Sequence, residues 1–198
     1  STPDKSDNRL DTEFNKLKDL VSEWLIASED LTIPAIVRKL LKERGKTVGT
    51  TESCTGGYIA HLLTGEAGAS EIYKGSVISY ANEIKQTLLR VPTAILKGKG
   101  AVSKETVQEM AQNGLALLHT DYVIATSGIM GPDGGTEEKP VGLVWIAVGN
   151  NTKIITRKFN FRFDRSRNIE LTANNSLMLL HNFILENQTA SVTTNESP

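Results

Sequence analysis

KTVGTTESCTGG, residues 46–57, changes character halfway along. Lys46 to Thr51 is short and rich in β-branched side chains, which predicts a strand. Gly56 to Leu63 predicts the start of a helix. A strand that turns directly into a helix is the repeating unit of α/β folds. The turn between them holds Ser53, Cys54, Thr55, Gly56 and Gly57. Glycines there let backbone approach a ligand closely, and the unpaired N–H groups at a helix start suit an anion or a developing oxyanion. Ser53 reads as either a nucleophile or a helix cap. Neither the G-x-S-x-G elbow nor a Walker loop is present. Cys54 reads as a small buried hydrophobe, with a reactive thiol as the alternative.

Outward from this turn, helix and strand patterns alternate. Toward the N-terminus, Phe14, Leu17, Leu20, Val21, Trp24 and Leu25 recur at helical spacing, while residues 1–10 give no period. A second helix opens at Thr32 or Pro34 and stops at Gly45. Toward the C-terminus, Lys74 to Tyr80 predicts a strand and Asn82 to Leu89 a short helix ended by Pro92. Ser103 is placed to cap a helix reaching about His119. Tyr122 to Thr126 is a continuous apolar run of the kind found in buried strands. Val141 to Val148 and Lys153 to Phe161 alternate around Gly149-Asn150-Asn151, a hairpin signal. A helix from about Arg165 to Leu185 closes the core, and Gln188 to Pro198 has a disordered composition. The expected fold is a three-layer α/β/α sandwich on a mixed, mostly parallel sheet with a C-terminal β-hairpin. The expected organisation is an extension over 1–30 with a helical linker segment, one domain over 31–187 and a tail over 188–198.

Composition narrows the function. Lys and Arg number 22 against 23 Asp and Glu, so no basic footprint for nucleic acid or an anionic membrane is present. A single Cys leaves no internal disulfide or Cys-based zinc site, and His61, His119 and His181 lie far apart. No metal or cofactor is expected. No apolar run approaches the ~20 residues that span a bilayer. The chain begins at Ser1 without a Met or signal peptide, which is consistent with a missing true start. With nothing pointing to secretion, the four N-x-[ST] triplets read as chance and a cytoplasmic setting is expected.

A serine nucleophile needs a base, and no His is well placed for that role. The alternative is a lysine with a depressed pKa, assisted by a tyrosine. Tyr80 and Lys85 fall at a strand end and in the following helix, and they converge on Ser53 if strands 46–51 and 74–80 are neighbours. A Tyr at a sheet edge and a solvated Lys is the plainer alternative. Ser127 to Gly142 follows a buried strand and holds five glycines and two prolines in sixteen residues. Such loops at strand ends bind ligands in open α/β sheets, although a long hairpin excursion looks similar. Asp164 is a plausible cap for the last helix, with Arg165 or Arg167 as a phosphate contact.

ESCTGG, GSVISYANEIK, GAVS, SGIMGPDGGTEEKPVG and FDRSRN, in this order, resemble the C-terminal domain of the competence/damage-inducible CinA proteins. The resemblance runs from about Ile33 to Leu185. That family includes stand-alone nicotinamide mononucleotide deamidases of the PncC type. It implies hydrolysis of the carboxamide of nicotinamide mononucleotide to nicotinic acid mononucleotide and ammonia, without a metal. By position it assigns Ser53 as nucleophile with Tyr80 and Lys85 completing the set, Lys85 acting directly or through Tyr80. Backbone N–H groups of Thr55, Gly56 and Gly57 are then expected to hold an oxyanion or anion. Ser127, Gly128, Gly131, Gly134 and Gly135 are expected to shape the nucleotide pocket, with Arg165 or Arg167 on the phosphate. Met130 departs from the family's usual Thr-Gly-Ile-Ala-Gly by adding bulk beside that pocket. The resemblance also implies a homodimer or higher homo-oligomer. Longer members carry a pyrophosphatase-like domain, and residues 11–30 resemble the segment joining the two halves. An excised domain and a stand-alone enzyme with an extended start are both consistent with this. A non-catalytic nucleotide-binding module working beside such a partner domain is the competing reading.

Overall fold

The computed structural model describes residues 7–20, 31–65 and 67–192. The chain divides into two compact units, Ser1–Thr32 and Ile33–Pro198. In the first, helix α1 spans Asp7–Leu20. It begins inside the stretch expected to lack structure, and Val21, Trp24 and Leu25 of the expected helix lie outside the described residues.

The second unit carries the site. Helix α2 (Ile33–Glu43) presents Val37 and Leu41 inward, one turn apart, and ends where Gly45 takes φ +59°. Strand β1 is Val48–Glu52, and helix α3 is Tyr58–Thr64. Strand β2 (Tyr73–Ile78) leads to helix α4 (Asn82–Thr87). Pro92, expected only to end a helix, instead precedes a short one, α5 (Thr93–Gly98), which buries Leu96. Helix α6 (Lys104–Leu118) starts at Ser103, whose hydroxyl accepts from the Thr106 N–H as expected of a cap. Strand β3 is Tyr122–Gly128, and β4 (Leu143–Gly149) and β5 (Ile154–Asn160) form the expected hairpin. At the hairpin tip Asn150 accepts the N–H groups of Thr152 and Lys153. Helix α7 (Arg165–Val192) runs past Leu185, so Gln188 to Val192, expected in a disordered tail, are helical.

The five strands form one sheet in the order β2-β1-β3-β4-β5. β1 pairs in parallel with both β2 and β3, and the pairs β3–β4 and β4–β5 are antiparallel. Successive side chains of a strand point to opposite faces, and the two cores divide accordingly. Ile124 of β3 and Val144, Ile146 and Val148 of β4 pack with Val37, Leu41, Ile59, Leu177 and Leu180 of α2, α3 and α7. Val123, Ala125 and Ala147 pack on the other face with Leu96, Val107, Met110 and Leu115 of α5 and α6. This is the three-layer α/β/α sandwich on a mixed sheet.

The wiring opens a crevice. The chain leaves β1 toward the face covered by α3 and leaves β2 toward the face covered by α4 to α6. Loops that diverge from adjacent parallel strands leave a gap at the strands' carboxyl ends, where open α/β sheets bind ligands. Ser53, Tyr80 and Ser127 all sit at those ends.

Candidate active site

Ser53 follows directly on the last residue of β1. Its N–H donates to the Thr126 carbonyl of β3 at 3.0 Å, and the neighbouring Ser79 N–H donates to the Glu52 carbonyl at 2.8 Å. These two bonds continue the ladder past the sheet's regular pairing and fix three strand ends against one another. Only then does the chain turn away, with Gly57 at φ +96° immediately before α3. A Cβ at Gly57 would meet only the tip of the half-exposed Ile78 side chain, so it is the left-handed backbone angle that favours glycine here.

Lys85, on α4, reaches back beneath its own helix start and is 1% exposed. Its Nζ donates to Ser53 Oγ at 2.9 Å, to the Ser79 carbonyl at 2.6 Å and to the Tyr80 carbonyl at 3.2 Å. Ser53 is itself buried. No acid faces this amine among its hydrogen-bond partners, and burial pushes its pKa down from 10.5, the nearby Cys54 opposing as a smaller effect. The plainer reading of Lys85 as a solvated helix residue is therefore wrong.

Tyr80 is placed differently from expectation. It meets Lys85 through its backbone carbonyl, while the residue is 62% exposed and its hydroxyl accepts from Arg165 Nη2 at 3.1 Å. Cys54 is buried, and desolvation pushes its thiol up to about 12 despite a hydrogen bond with Thr126. Burial thus favours the protonated thiol, and Lys85 Nζ meets Ser53 Oγ at 2.9 Å.

Sequence reading missed Glu52. This residue is fully buried at the end of β1. Its carboxyl group accepts the N–H groups of Gly57 (3.0 Å), Ile59 (3.1 Å) and Ala60 (2.8 Å) and the hydroxyls of Thr55 (2.7 Å) and Thr50 (3.1 Å). It thus fills the anion site at the start of α3 with a group from the chain itself. The expectation that Gly56 and Gly57 present free N–H groups to a ligand fails on this geometry, since Gly56 donates to the Ser53 carbonyl. Thr55 likewise spends its hydroxyl on Glu52. The available signal was an acid directly ahead of a strand-to-helix turn, where orphan donors need an acceptor.

Around Ser53 and Lys85 lies a cavity of about 280 Å³. Cys54, Tyr80, Asn82, Ser127, Gly128, Met130, Gly131, Asp133, Gly134 and Arg165 are among its lining residues. Ser127 contributes atoms to this wall, but its hydroxyl donates to the Ala101 carbonyl and so braces the wall instead of facing a ligand. Gly135 is off the wall, tight against Val141, where a Cβ would lie 2.7 Å from the backbone nitrogen. Met130 is 3% exposed and packs largely into the core. Arg165 lines the cavity, whereas Arg167 turns away to pair with Glu170 at 2.6 Å. Asp164 caps α7 as expected, accepting the Arg167 N–H at 3.0 Å. Asn82 and Asp133 are lining residues that sequence reading did not single out. Among the described residues no cluster of three or more His, Cys, Asp or Glu is arranged to hold a metal, and no helix is long and apolar enough to cross a membrane.

Known proteins share this arrangement of strands and helices. The family model for the CinA C-terminal domain matches residues 30–184. A CinA-like protein of Cytophaga hutchinsonii is 48% identical over 153 residues, covering 77% of this chain and 37% of that protein. A CinA-like protein of Salinibacter ruber is 39% identical over 169 residues, 85% of this chain and 41% of the relative. The chain therefore spans less than half the length of these curated relatives. Among solved structures, competence damage-inducible protein A from Klebsiella pneumoniae superposes with a TM-score of 0.75 at 33% identity, covering 77% of this chain and 95% of that one. The competence/damage inducible protein CihA from Agrobacterium tumefaciens gives 0.72 at 33%, over 77% and 97%. The family model, the curated relatives and the superposed folds point the same way, and the chain belongs to the CinA C-terminal domain family.

Proposed function

We propose that this domain is an amidohydrolase that converts nicotinamide mononucleotide to nicotinic acid mononucleotide and ammonia. The observation that carries the reading is the buried 2.9 Å contact between Lys85 Nζ and Ser53 Oγ. A neutral amine has two N–H bonds and one lone pair. The Ser79 and Tyr80 carbonyls can only accept, so they take the two N–H bonds. In this neutral form the Ser53 contact reverses, and the serine hydroxyl donates to the lone pair that replaces the third N–H of the ammonium. Burial favours this neutral form, and the arrangement makes Lys85 a general base aimed at one proton.

Proton transfer to Lys85 lets Ser53 Oγ attack the carboxamide carbon. The C–O bond forms as the carbonyl π pair moves onto oxygen. Lys85 then returns its proton to the nitrogen, the C–N bond breaks and ammonia leaves, giving an acyl ester on Ser53. Water attacks that ester with Lys85 again taking a proton, which then returns to Ser53. The oxyanion needs donors, and with Gly56 and Gly57 bonded inside the protein, the N–H groups of Cys54 and Thr55 are the remaining candidates at this turn. Arg165 suits the 5′-phosphate, and Asp133 and Asn82 suit the ribose hydroxyls.

The test is ammonia release from nicotinamide mononucleotide. Wild type is expected to turn over, and Ser53→Ala is expected to lose at least about 10³-fold in kcat. An inert wild type, or an active Ser53→Ala, overturns the assignment.

A further inference from the structure

We propose that Tyr80 is a positioning residue for Arg165 instead of a proton relay for Lys85, and that this pair sets the preference for a phosphorylated over an unphosphorylated nucleoside amide. The proposal rests on reading the cavity as a nucleotide-amide site. Its starting point is the set of partners around Lys85. Nζ meets Ser53 Oγ and two backbone carbonyls, one of them that of Tyr80 itself, and no phenol. A relay requires the phenol between the hydroxyl and the amine. Here hydroxyl and amine touch directly, and the phenol oxygen is engaged elsewhere.

It is engaged by Arg165. The guanidinium donates through Nη2 to Tyr80 Oη at 3.1 Å and through Nη1 to the Gly131 carbonyl at 2.9 Å. Three segments far apart in sequence, the end of β2, the glycine-rich loop after β3 and the first residue of α7, are thereby joined beside the cavity that all three residues line. Tyr80 is mostly exposed, which suits a residue at the rim and not one guiding a proton in a dry interior. Guanidinium is planar with five N–H donors. Two partners on two different nitrogens fix that plane, and the donors that remain can meet phosphate oxygens in a bidentate contact. Arginine is otherwise a flexible side chain, and holding it in place beforehand lowers the ordering cost of binding. Removing the phenol oxygen frees the Nη2 end, so the loss should appear wherever a phosphate is bound and not at the amide.

Nicotinamide mononucleotide and nicotinamide riboside carry the same amide and differ by one phosphate, so they are the probes. In calorimetric titrations of the Ser53→Ala chain, which blocks turnover, Tyr80→Phe is expected to weaken nucleotide binding about tenfold, in the range of losing a hydrogen bond to a charged group. Riboside binding should change by less than about twofold. Arg165→Met should erase the nucleotide preference, and Tyr80→Phe added to it should have no further effect, as a pair acting through one contact requires. In the catalytically intact chain, Tyr80→Phe should raise KM for the nucleotide about tenfold with a smaller change in kcat, and the pH of half-maximal kcat should not move. Equal weakening of both ligands, an undiminished effect in the Arg165→Met background, or a fall in kcat of about 10²-fold at constant KM overturns the proposal. A wild type that hydrolyses neither compound ends the amidase reading alone, because the two titrations still decide the clamp. Failure of the nucleotide to bind any better than the riboside ends the clamp.

Discussion

Ser53 and Ser103 both stand ahead of a helix, and their hydroxyls have opposite fates. Ser103 sits in extended backbone immediately before α6, and its oxygen accepts the Thr106 N–H at 3.2 Å. Ser53 precedes α3 by a glycine turn, and no side chain at the cap position itself serves that helix. The donors of α3 go instead to the carboxyl group of Glu52. With the helix already satisfied, the Ser53 hydroxyl is released to face Lys85. A serine at a helix start becomes available for chemistry when another residue takes over capping.

The largest test of this contrast is at Glu52. Glu52→Ala leaves three backbone donors without their buried acceptor, while the Thr50 and Thr55 hydroxyls keep Ser76 and Thr126 as partners, and is expected to cost about 4 kcal/mol, measured by denaturant unfolding. It should also slow ammonia release, since the turn holding Ser53 loses its anchor. A loss below about 1 kcal/mol with full activity would mean that the cap and the nucleophile are not coupled.

Next in size is Lys85→Ala, expected to lower kcat/KM by at least about 10²-fold, the usual scale for a general base. A loss under about threefold would remove Lys85 from the mechanism. Its titration carries a sign that can be checked separately. In the proposed mechanism Lys85 serves as a base only when neutral, and burial holds its pKa below 10.5. In wild type kcat/KM should therefore rise with pH to a midpoint below 10.5, and Lys85→Ala should lack that rise. Stability follows the same proton. Below the folded pKa both states hold the proton and the burial penalty is fully present. Between the folded pKa and 10.5 only the unfolded chain holds it, so unfolding free energy should increase with pH across that window. A flat or falling contribution, taken as wild type minus Lys85→Ala, would contradict the desolvated amine.

The smallest effect is at the ordinary cap. Ser103→Ala should cost about 1 kcal/mol of stability and leave ammonia release close to wild type. A large activity loss there would show that the two helix starts are not as different as their hydrogen bonds indicate.

How far the sequence can be read follows from the range of each interaction. Ser103 as a cap, Asp164 as a cap, Gly45 as a stop and the hairpin at Asn150 are decided within a few residues. Each matches the structure. Helix ends were less legible where propensity competed with context. Pro92 suggested only a stop, yet a buried Leu96 sustains a short helix after it. At the site, motif order pointed to Ser53, Tyr80 and Lys85, but the roles of their individual atoms did not follow from it. Tyr80 approaches Lys85 by its carbonyl and Arg165 by its phenol, and Ser127 turns its hydroxyl to Ala101.

Composition and periodicity by themselves determined an α/β domain and the strand-to-helix turn at Ser53, because these properties are set by neighbours along the chain. Only the tertiary structure decided what that turn is for. Ser53 meets Lys85 across 32 residues, and Tyr80 meets Arg165 across 85. Those contacts exist because parallel β1 and β2 bring their carboxyl ends together while α7 returns to the same edge. Burial then does what no pattern of letters records: it strips water from Lys85 and favours the neutral amine beside Ser53.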